Sequence, residues 1–286
     1  MTQADHASFD TRGPRVAIAR VQTLRAEPGV PLAVRPDELS VEEPLEIRVA
    51  GDALAITMRT PGHDHELAAG FLLAEGLIRS RAELGSIVHC GRFAGEGAQN
   101  TLDVLAAPGV TLDVDALAGT RRGTLTTAAC GVCGRKQIDD LVARLAPVRA
   151  CAPFQTAFIA NLAHELRARQ PSFERTGGLH AAGIAHPDAG FLVVREDVGR
   201  HNAVDKVVGR LLLDDRLPAA GCVLVVSGRT SFEIVQKGLA AGVAAVVGIS
   251  APSSLAVSTA ARFGLLLCGF ARGAGFNVYA GAERLA

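Results

Sequence analysis

Apolar positions along the chain follow two rhythms. Leu45-Glu-Ile-Arg-Val49 alternates with period two, Gly51-Asp52 supplies a turn, and Leu54-Ala-Ile-Thr-Met58 alternates again, so a β-hairpin is predicted. Thr60-Pro61-Gly62 breaks the second strand. A helix is predicted next, with Asp64 and Glu66 at its positive amino end and an apolar stripe of Leu67, Phe71, Leu72 and Leu77, running through Ile78. Short strands are expected at 86–89, 101–105 and 110–114. Past residue 220 the rhythm changes. Cys222–Val226, Val243–Ile249 and Leu265–Cys268 are apolar runs, and Phe232–Ala241 and Leu255–Phe263 between them read as helices. Strands without polar alternation are covered on both faces, which predicts a parallel sheet and the α/β class.

The pattern divides the chain into a polar tail over 1–15, expected to be disordered, an N-terminal α+β domain over 16–125, and a C-terminal α/β domain over 126–286. The carboxyl ends of parallel strands face helix amino termini, where such sheets bind anions. Three segments fall on that edge: Ser227-Gly228-Arg229-Thr230-Ser231, Ser250 to Ser254, and Phe270-Ala271-Arg272-Gly273-Ala274-Gly275. Their hydroxyls and amides, with Arg229 and Arg272, suit phosphate or pyrophosphate. The competing reading is ordinary Ser/Thr helix capping beside surface arginines. Neither G-x-x-x-x-G-K-[ST] nor a G-x-G-x-x-G after a strand occurs, so NTP hydrolysis and ordinary NAD chemistry lose ground.

Composition narrows the partners. The chain has 286 residues, enough for a substantial core, with 29 Lys plus Arg against 29 Asp plus Glu, no Trp and one Tyr. No global field or aromatic platform favours nucleic acid. The longest apolar stretches are Gly-broken and too short for a bilayer, so no membrane span is expected. Six cysteines without regular spacing, and no apolar signal segment after Met1, point to the reducing cytoplasm.

Cys130-Gly-Val-Cys133-Gly, before the helix-like Arg135-Lys136-Gln137-Ile138, carries the strongest chemical signal. Two thiols on a Gly-punctuated turn at a helix start, beside cations, favour the thiolate. Three alternatives compete. A structural zinc site needs four ligands and only half a site is present; a dithiol redox centre and a buried, inert pair are the others. No H-x-E accompanies the pair, so zinc-dependent deamination is disfavoured, and no structural metal is expected. His63-Asp64-His65-Glu66 reads as a charged helix start rather than a metal site. On a helix beginning near Val198, His201 and Asp205 stand at i, i+4 and can pair, the bland alternative being a surface ion-pair ladder.

Five motifs in order resemble the formate dehydrogenase accessory sulfurtransferases: the Cys130 loop, Thr176-Gly-Gly-Leu-His180-Ala-Ala, Glu196-Asp-Val-Gly-Arg200-His201-Asn-Ala-Val-Asp-Lys206, Ser227-Gly-Arg-Thr-Ser-Phe-Glu-Ile-Val-Gln-Lys237 and Gly269-Phe-Ala-Arg-Gly-Ala-Gly-Phe-Asn-Val-Tyr279. The resemblance runs from about Leu39 to Arg284. It implies a carrier that takes sulfane sulfur from a cysteine desulfurase and passes it to molybdenum bis(molybdopterin guanine dinucleotide), the cofactor formate dehydrogenase requires. It further implies a homodimer and a cytidine deaminase-like C-terminal fold. Cys130 matches the persulfide-bearing cysteine, with Cys133 assisting, and Phe270 to Gly275 matches the cofactor-binding segment, to which the anion argument adds Arg229. Two other readings remain: a cofactor-binding chaperone without sulfur transfer, and a thioredoxin-like dithiol redox protein.

Overall fold

The structure is a computed structural model that describes residues 17–90, 99–113 and 141–286. The tail, the domain boundary near residue 126 and the Cys130–Cys133 loop lie outside the described residues.

The predicted hairpin is present as β3 (Glu43–Val49) and β4 (Asp52–Arg59), paired antiparallel. With β5 (Leu84–His89) and β6 (Thr101–Ala106) it forms a four-stranded sheet of order β4-β3-β6-β5. Residues 110–113 carry no strand, unlike the expectation. The predicted helix is α1, Asp64–Ala74, which stops short of Ile78. Gly76, at φ 75°, turns the chain left-handed, and Leu77 N donates to Leu72 O, closing the helix in a Schellman turn. Ahead of this block stands an antiparallel ribbon that periodicity alone did not indicate, β1 (Ile18–Glu27) with β2 (Val30–Ser40).

The C-terminal sheet has six strands in the order β12-β11-β10-β9-β7-β8. Its centre is the predicted parallel trio, β9 (Val223–Val226), β10 (Ala245–Gly248) and β11 (Leu266–Arg272). Antiparallel strands flank them: β7 (His180–His186) and β8 (Gly190–Asp197) beside β9, and β12 (Gly275–Ala280) beside β11. Successive residues of β9 serve opposite faces. Val223 and Val225 pack with Ile159, Leu162 and Leu166 of α2 (Thr156–Arg167). Leu224 and Val226 share a cluster with α4 (Arg200–Leu213), α5 (Phe232–Ala241) and α6 (Ser254–Phe263); a short α3 (Pro171–Thr176) precedes β7. Both faces are therefore covered, which is why these strands read as unbroken apolar runs.

One core spans both blocks: Leu45, Ile47, Leu67, Leu72 and Leu102 belong to the same buried cluster as Val204, Val207 and Leu211. The joint is the crossing of α1 and α4, where two glycines let the backbones touch. A β-carbon at Gly70 would overlap the Asp205 carbonyl, and one at Gly209 would overlap the Glu66 carbonyl. Only hydrogen fits at either position.

Candidate functional site

The site is organised by the turn from β8 into α4. Asp197 ends β8 without solvent exposure and collects four donors. Lys206 Nζ lies 2.6 Å from its Oδ2, Thr60 N donates to the same oxygen at 3.2 Å, and Gly199 N and Asn202 Nδ2 donate to Oδ1 at 2.8 and 3.0 Å. Thr60 belongs to the N-terminal block and Lys206 Nζ also donates to its carbonyl, at 2.9 Å. The start of α4 is thus fixed against both blocks. Sequence reasoning quoted Asp197 only inside a motif; the signal was an acid three residues before a helix, a position suited to hold backbone N–H groups.

The three segments on the carboxyl edge are stitched together. Thr230 N donates to Ala251 O at 3.1 Å, Ser253 N to Thr230 O at 2.9 Å, and Phe270 N to Ser250 O at 3.1 Å. Ser227 joins the adjacent strand, its N donating to Ala181 O at 2.9 Å and its Oγ accepting from Ala181 N at 2.8 Å, which brings His180 to the same edge. The two serine caps then differ. Ser253 Oγ accepts from Ala256 N at 3.3 Å, so there the capping reading holds. Ser231 makes no such bond at the head of α5; its Oγ lies 3.3 Å from His201 Nε2.

His201 does not take Asp205 as its close acidic partner in the way the i, i+4 spacing suggested. Its Nε2 stands 2.9 Å from Glu233 Oε2, in the first turn of α5, whereas Asp205 Oδ1 accepts from Lys237 Nζ at 2.6 Å. A full charge from a facing helix outcompetes a neighbour on the same helix. Burial raises the Asp205 carboxyl against the pull of Lys237. Ser231 and Glu233 meet the same imidazole nitrogen, so the three do not form a nucleophile relay, which needs both ring nitrogens.

Phe270 to Gly275 is not a loop leading to a helix. β11 continues through Arg272, pairs across to Gly275 of β12, and turns through Gly273 and Ala274, with Gly273 at φ 60°. Ala271 is fully buried in the cluster under α2, so its side chain cannot face a ligand. Phe270 is 37 % exposed and holds a left-handed φ of 52°, a strained conformation for an aromatic residue. Arg272 stacks over its ring at 5.9 Å. Arg272, Gly273, Ala274 and Gly275 are exposed, as is Arg229 in the loop after β9. Neither arginine pairs with a described carboxylate.

The helix start at His63–Glu66 is charged, as expected, but its acids face inward. Arg59 grips Asp64 through Nε at 3.1 Å and Nη2 at 2.9 Å, and Arg195 grips Glu66 at 2.7 and 2.8 Å. Among the described residues no three His, Cys, Asp or Glu side chains gather to hold a metal ion. A cavity of about 800 Å³ lies away from the carboxyl edge, between the end of α1 and α5. Its rim includes Asp113 and Leu141, the residues bordering the undescribed 114–140, and the chemistry above does not touch it.

An α/β core with an anion-suited carboxyl edge, locked to a smaller N-terminal block, defines the class. Residues 40–286 match the model of the FdhD/NarQ family, and the chain belongs to that family. A protein of Anaeromyxobacter dehalogenans strain 2CP-C, named sulfur carrier protein FdhD, is 53 % identical over 259 residues, covering 88 % of this chain and 90 % of its own. One of the same name from Streptomyces coelicolor is 48 % identical over 276 residues, covering 93 % and 95 %. A crystal structure of a proposed formate dehydrogenase accessory protein from Desulfotalea psychrophila shares the fold, with a TM-score of 0.74 and 24 % identity, covering 94 % of this chain and all of that one.

Proposed function

We propose that this chain is a sulfur carrier in the maturation of formate dehydrogenase. The observation that carries the reading is the identity of 48–53 % to sulfur carriers across about nine-tenths of the chain. In this reading the Cys130 thiolate attacks the terminal sulfur of a persulfide on a cysteine desulfurase, the desulfurase thiolate leaves, and Cys130 holds the sulfur as Cys–S–SH. Cys133 assists in exchange. The acceptor is molybdenum bis(molybdopterin guanine dinucleotide), bound as substrate at the carboxyl edge, with Phe270, Arg272, Gly273 to Gly275 and Arg229 as its contacts.

Support for the acceptor half comes from the edge itself: three hydrogen-bonded segments, two exposed arginines that pair with no described carboxylate, and an exposed aromatic ring suit a ligand with pyrophosphates and flat bases. The order β8-β7-β9-β10-β11, with three central parallel strands covered on both faces, supports a cytidine deaminase-like reading of the C-terminal sheet. The test is intact mass after incubation with a cysteine desulfurase and cysteine. A gain of one sulfur atom that disappears in Cys130→Ala is expected; an unchanged mass, or a sulfur located on another cysteine, overturns the reading.

A further inference from the structure

The ribbon of β1 and β2 carries five of the ten large apolar side chains that stand exposed among the described residues, Leu24, Val30, Leu32, Val34 and Leu39, so the apolar surface of the molecule is concentrated there. Leu24 stands opposite Val34 in the register, and Leu32 lies two residues from Val34 on the same strand. These three share one face and are 59 to 67 % exposed. Every residue from 22 to 37 is exposed, so neither face of the outer ribbon is covered. A two-stranded ribbon without cover is marginal in water, and a third strand or a packed layer is what stabilises it.

The two long edges of the ribbon differ. β2 carries Pro31 and Pro36, which have no N–H to give a further strand, and its base is fixed: Ser40 Oγ lies 2.8 Å from Thr176 Oγ1, and Arg175 of α3 donates to Glu38 at 2.7 and 2.8 Å. β1 has no proline, and its outer edge pairs with no strand among the described residues. Such an edge is a template for strand addition. Arg20 of β1 also donates to Glu38, at 3.3 Å, so two guanidinium charges meet one carboxylate and a positive charge is left on the open edge. The ribbon rises beside the candidate site. Ser40 meets Gly178, where a β-carbon would stand 3.1 Å from its Oγ, and two residues later His180 begins β7 at the carboxyl edge.

We propose that β1 accepts an extended segment of the acceptor enzyme as a third strand, its apolar side chains covering Leu24, Leu32 and Val34 and an acidic side chain meeting Arg20. This rests on the reading above that the chain serves formate dehydrogenase. Area selects this occupant over a second copy of the chain. The apolar patch is on the order of 400 Å², within the range at which patches mark interaction sites, whereas a stable dimer buries about 800 Å² on each partner. A contact of the smaller size forms and releases, as delivery to a client requires. Residues 1–16 lack the alternating apolar pattern of a third strand. The family match starts at residue 40, so the ribbon up to Leu39 lies outside it, as suits a contact with this chain's own client rather than the shared chemistry.

Calorimetry of the full chain with formate dehydrogenase from the same organism, prepared without its cofactor, tests this together with amide hydrogen exchange of residues 18–27 read by mass spectrometry. The wild type binds, and exchange at 18–27 slows in the complex. Leu24→Ser combined with Val34→Ser weakens binding by about tenfold or more, as loss of two buried apolar side chains requires, and leaves sulfur loading of Cys130 unchanged. Leu32→Ser, which keeps the cross-strand pair, weakens binding in the same direction and carries the test should the double variant not fold. If the wild type binds and activates the dehydrogenase while exchange at 18–27 is unchanged, or while both variants bind as the wild type does, the third strand is wrong and the carrier reading stands. If residues 18–27 are protected in the protein alone and lose that protection on dilution, a second copy covers β1 and the proposal is overturned. If Cys130 takes up sulfur but the wild type neither binds nor activates the dehydrogenase, the acceptor half of the carrier reading fails and the proposal falls with it.

Discussion

Lys206 Nζ stands 2.6 Å from Asp197 Oδ2, and neither side chain is exposed by more than 1 %. Lys206 lies two turns into α4 and Asp197 ends β8, so the pair clamps the turn that presents Arg200 and His201 to the carboxyl edge. It also reaches Thr60, and so couples the edge to the N-terminal block.

Asp197→Asn keeps the shape but leaves the Lys206 charge buried without its counter-ion. Breaking a buried pair from one side costs about 3–5 kcal/mol. Denaturant unfolding is expected to show a loss in that range, with the slope against denaturant unchanged. A loss below about 1 kcal/mol, the scale of exposed pairs, would mean that water reaches the cluster.

Gly209→Ala sets a small gain in helix propensity, about 1 kcal/mol, against a collision with the Glu66 carbonyl of α1. The obstacle is backbone, which moves only if the two helices separate. The collision is expected to win, for a net destabilisation of about 1–3 kcal/mol in thermal melts. A more stable variant would show that the α1–α4 crossing has room to spare.

Glu66 yields a pH dependence. Burial raises its carboxyl, but the His63 imidazole 3.6 Å away and the hydrogen bonds from Arg195 outweigh that and bring it down to about 2 from an ordinary 4.5. A carboxyl depressed in the folded state binds fewer protons there than in the unfolded chain. Its stabilisation is therefore complete above about pH 4.5 and is lost as pH falls toward 2, on the order of 3 kcal/mol in all. Unfolding curves of Glu66→Gln should be flatter across that window; a wild-type slope in the variant would assign the acid sensitivity to other carboxyls.

The cysteines should separate by reactivity. Burial pushes the Cys268 thiol up to about 12 and also raises Cys222, so neither is a thiolate near pH 7. Brief alkylation of the native protein with iodoacetamide, read by peptide mass spectrometry, is expected to spare both and to mark Cys130. Labelling of Cys268 ahead of Cys130 would remove the chemical basis for Cys130 as the sulfur-bearing thiol.

Loading and delivery of sulfur should fail independently. Loading needs a thiolate and a docked donor, whereas transfer also needs the acceptor held within bonding reach. Cys130→Ala is expected to keep GDP binding and leave formate dehydrogenase inactive in cells lacking the native protein. Substitutions in Arg272-Gly273-Ala274-Gly275 should accept sulfur yet fail to deliver it. Normal formate oxidation with Cys130→Ala would favour the cofactor-binding chaperone.

Several elements were determined by the sequence itself because their cause is local. Alternation in Leu45–Met58 produces β3 and β4, the unbroken run ending at Val226 produces a doubly covered strand, and Phe232–Ala241 is helical over the predicted span. Gly76 shows the limit of periodicity, since one left-handed residue ends α1 before its apolar stripe ends. Other features depended on which elements meet. The continuation of β11 to Arg272 needs β12 as a partner, and the burial of Ala271 needs the packing of α2, so a segment that reads as a ligand loop becomes a hairpin with one inward residue. The pairing of His201 with Glu233 and the four donors on Asp197 join residues from 2 to 137 positions apart, and all but the shortest of these contacts exist only in the fold. Periodicity reports the side of its own element that a residue occupies. The group that faces it there, and hence which charges are neutralised and which remain for a ligand, is decided by packing between elements.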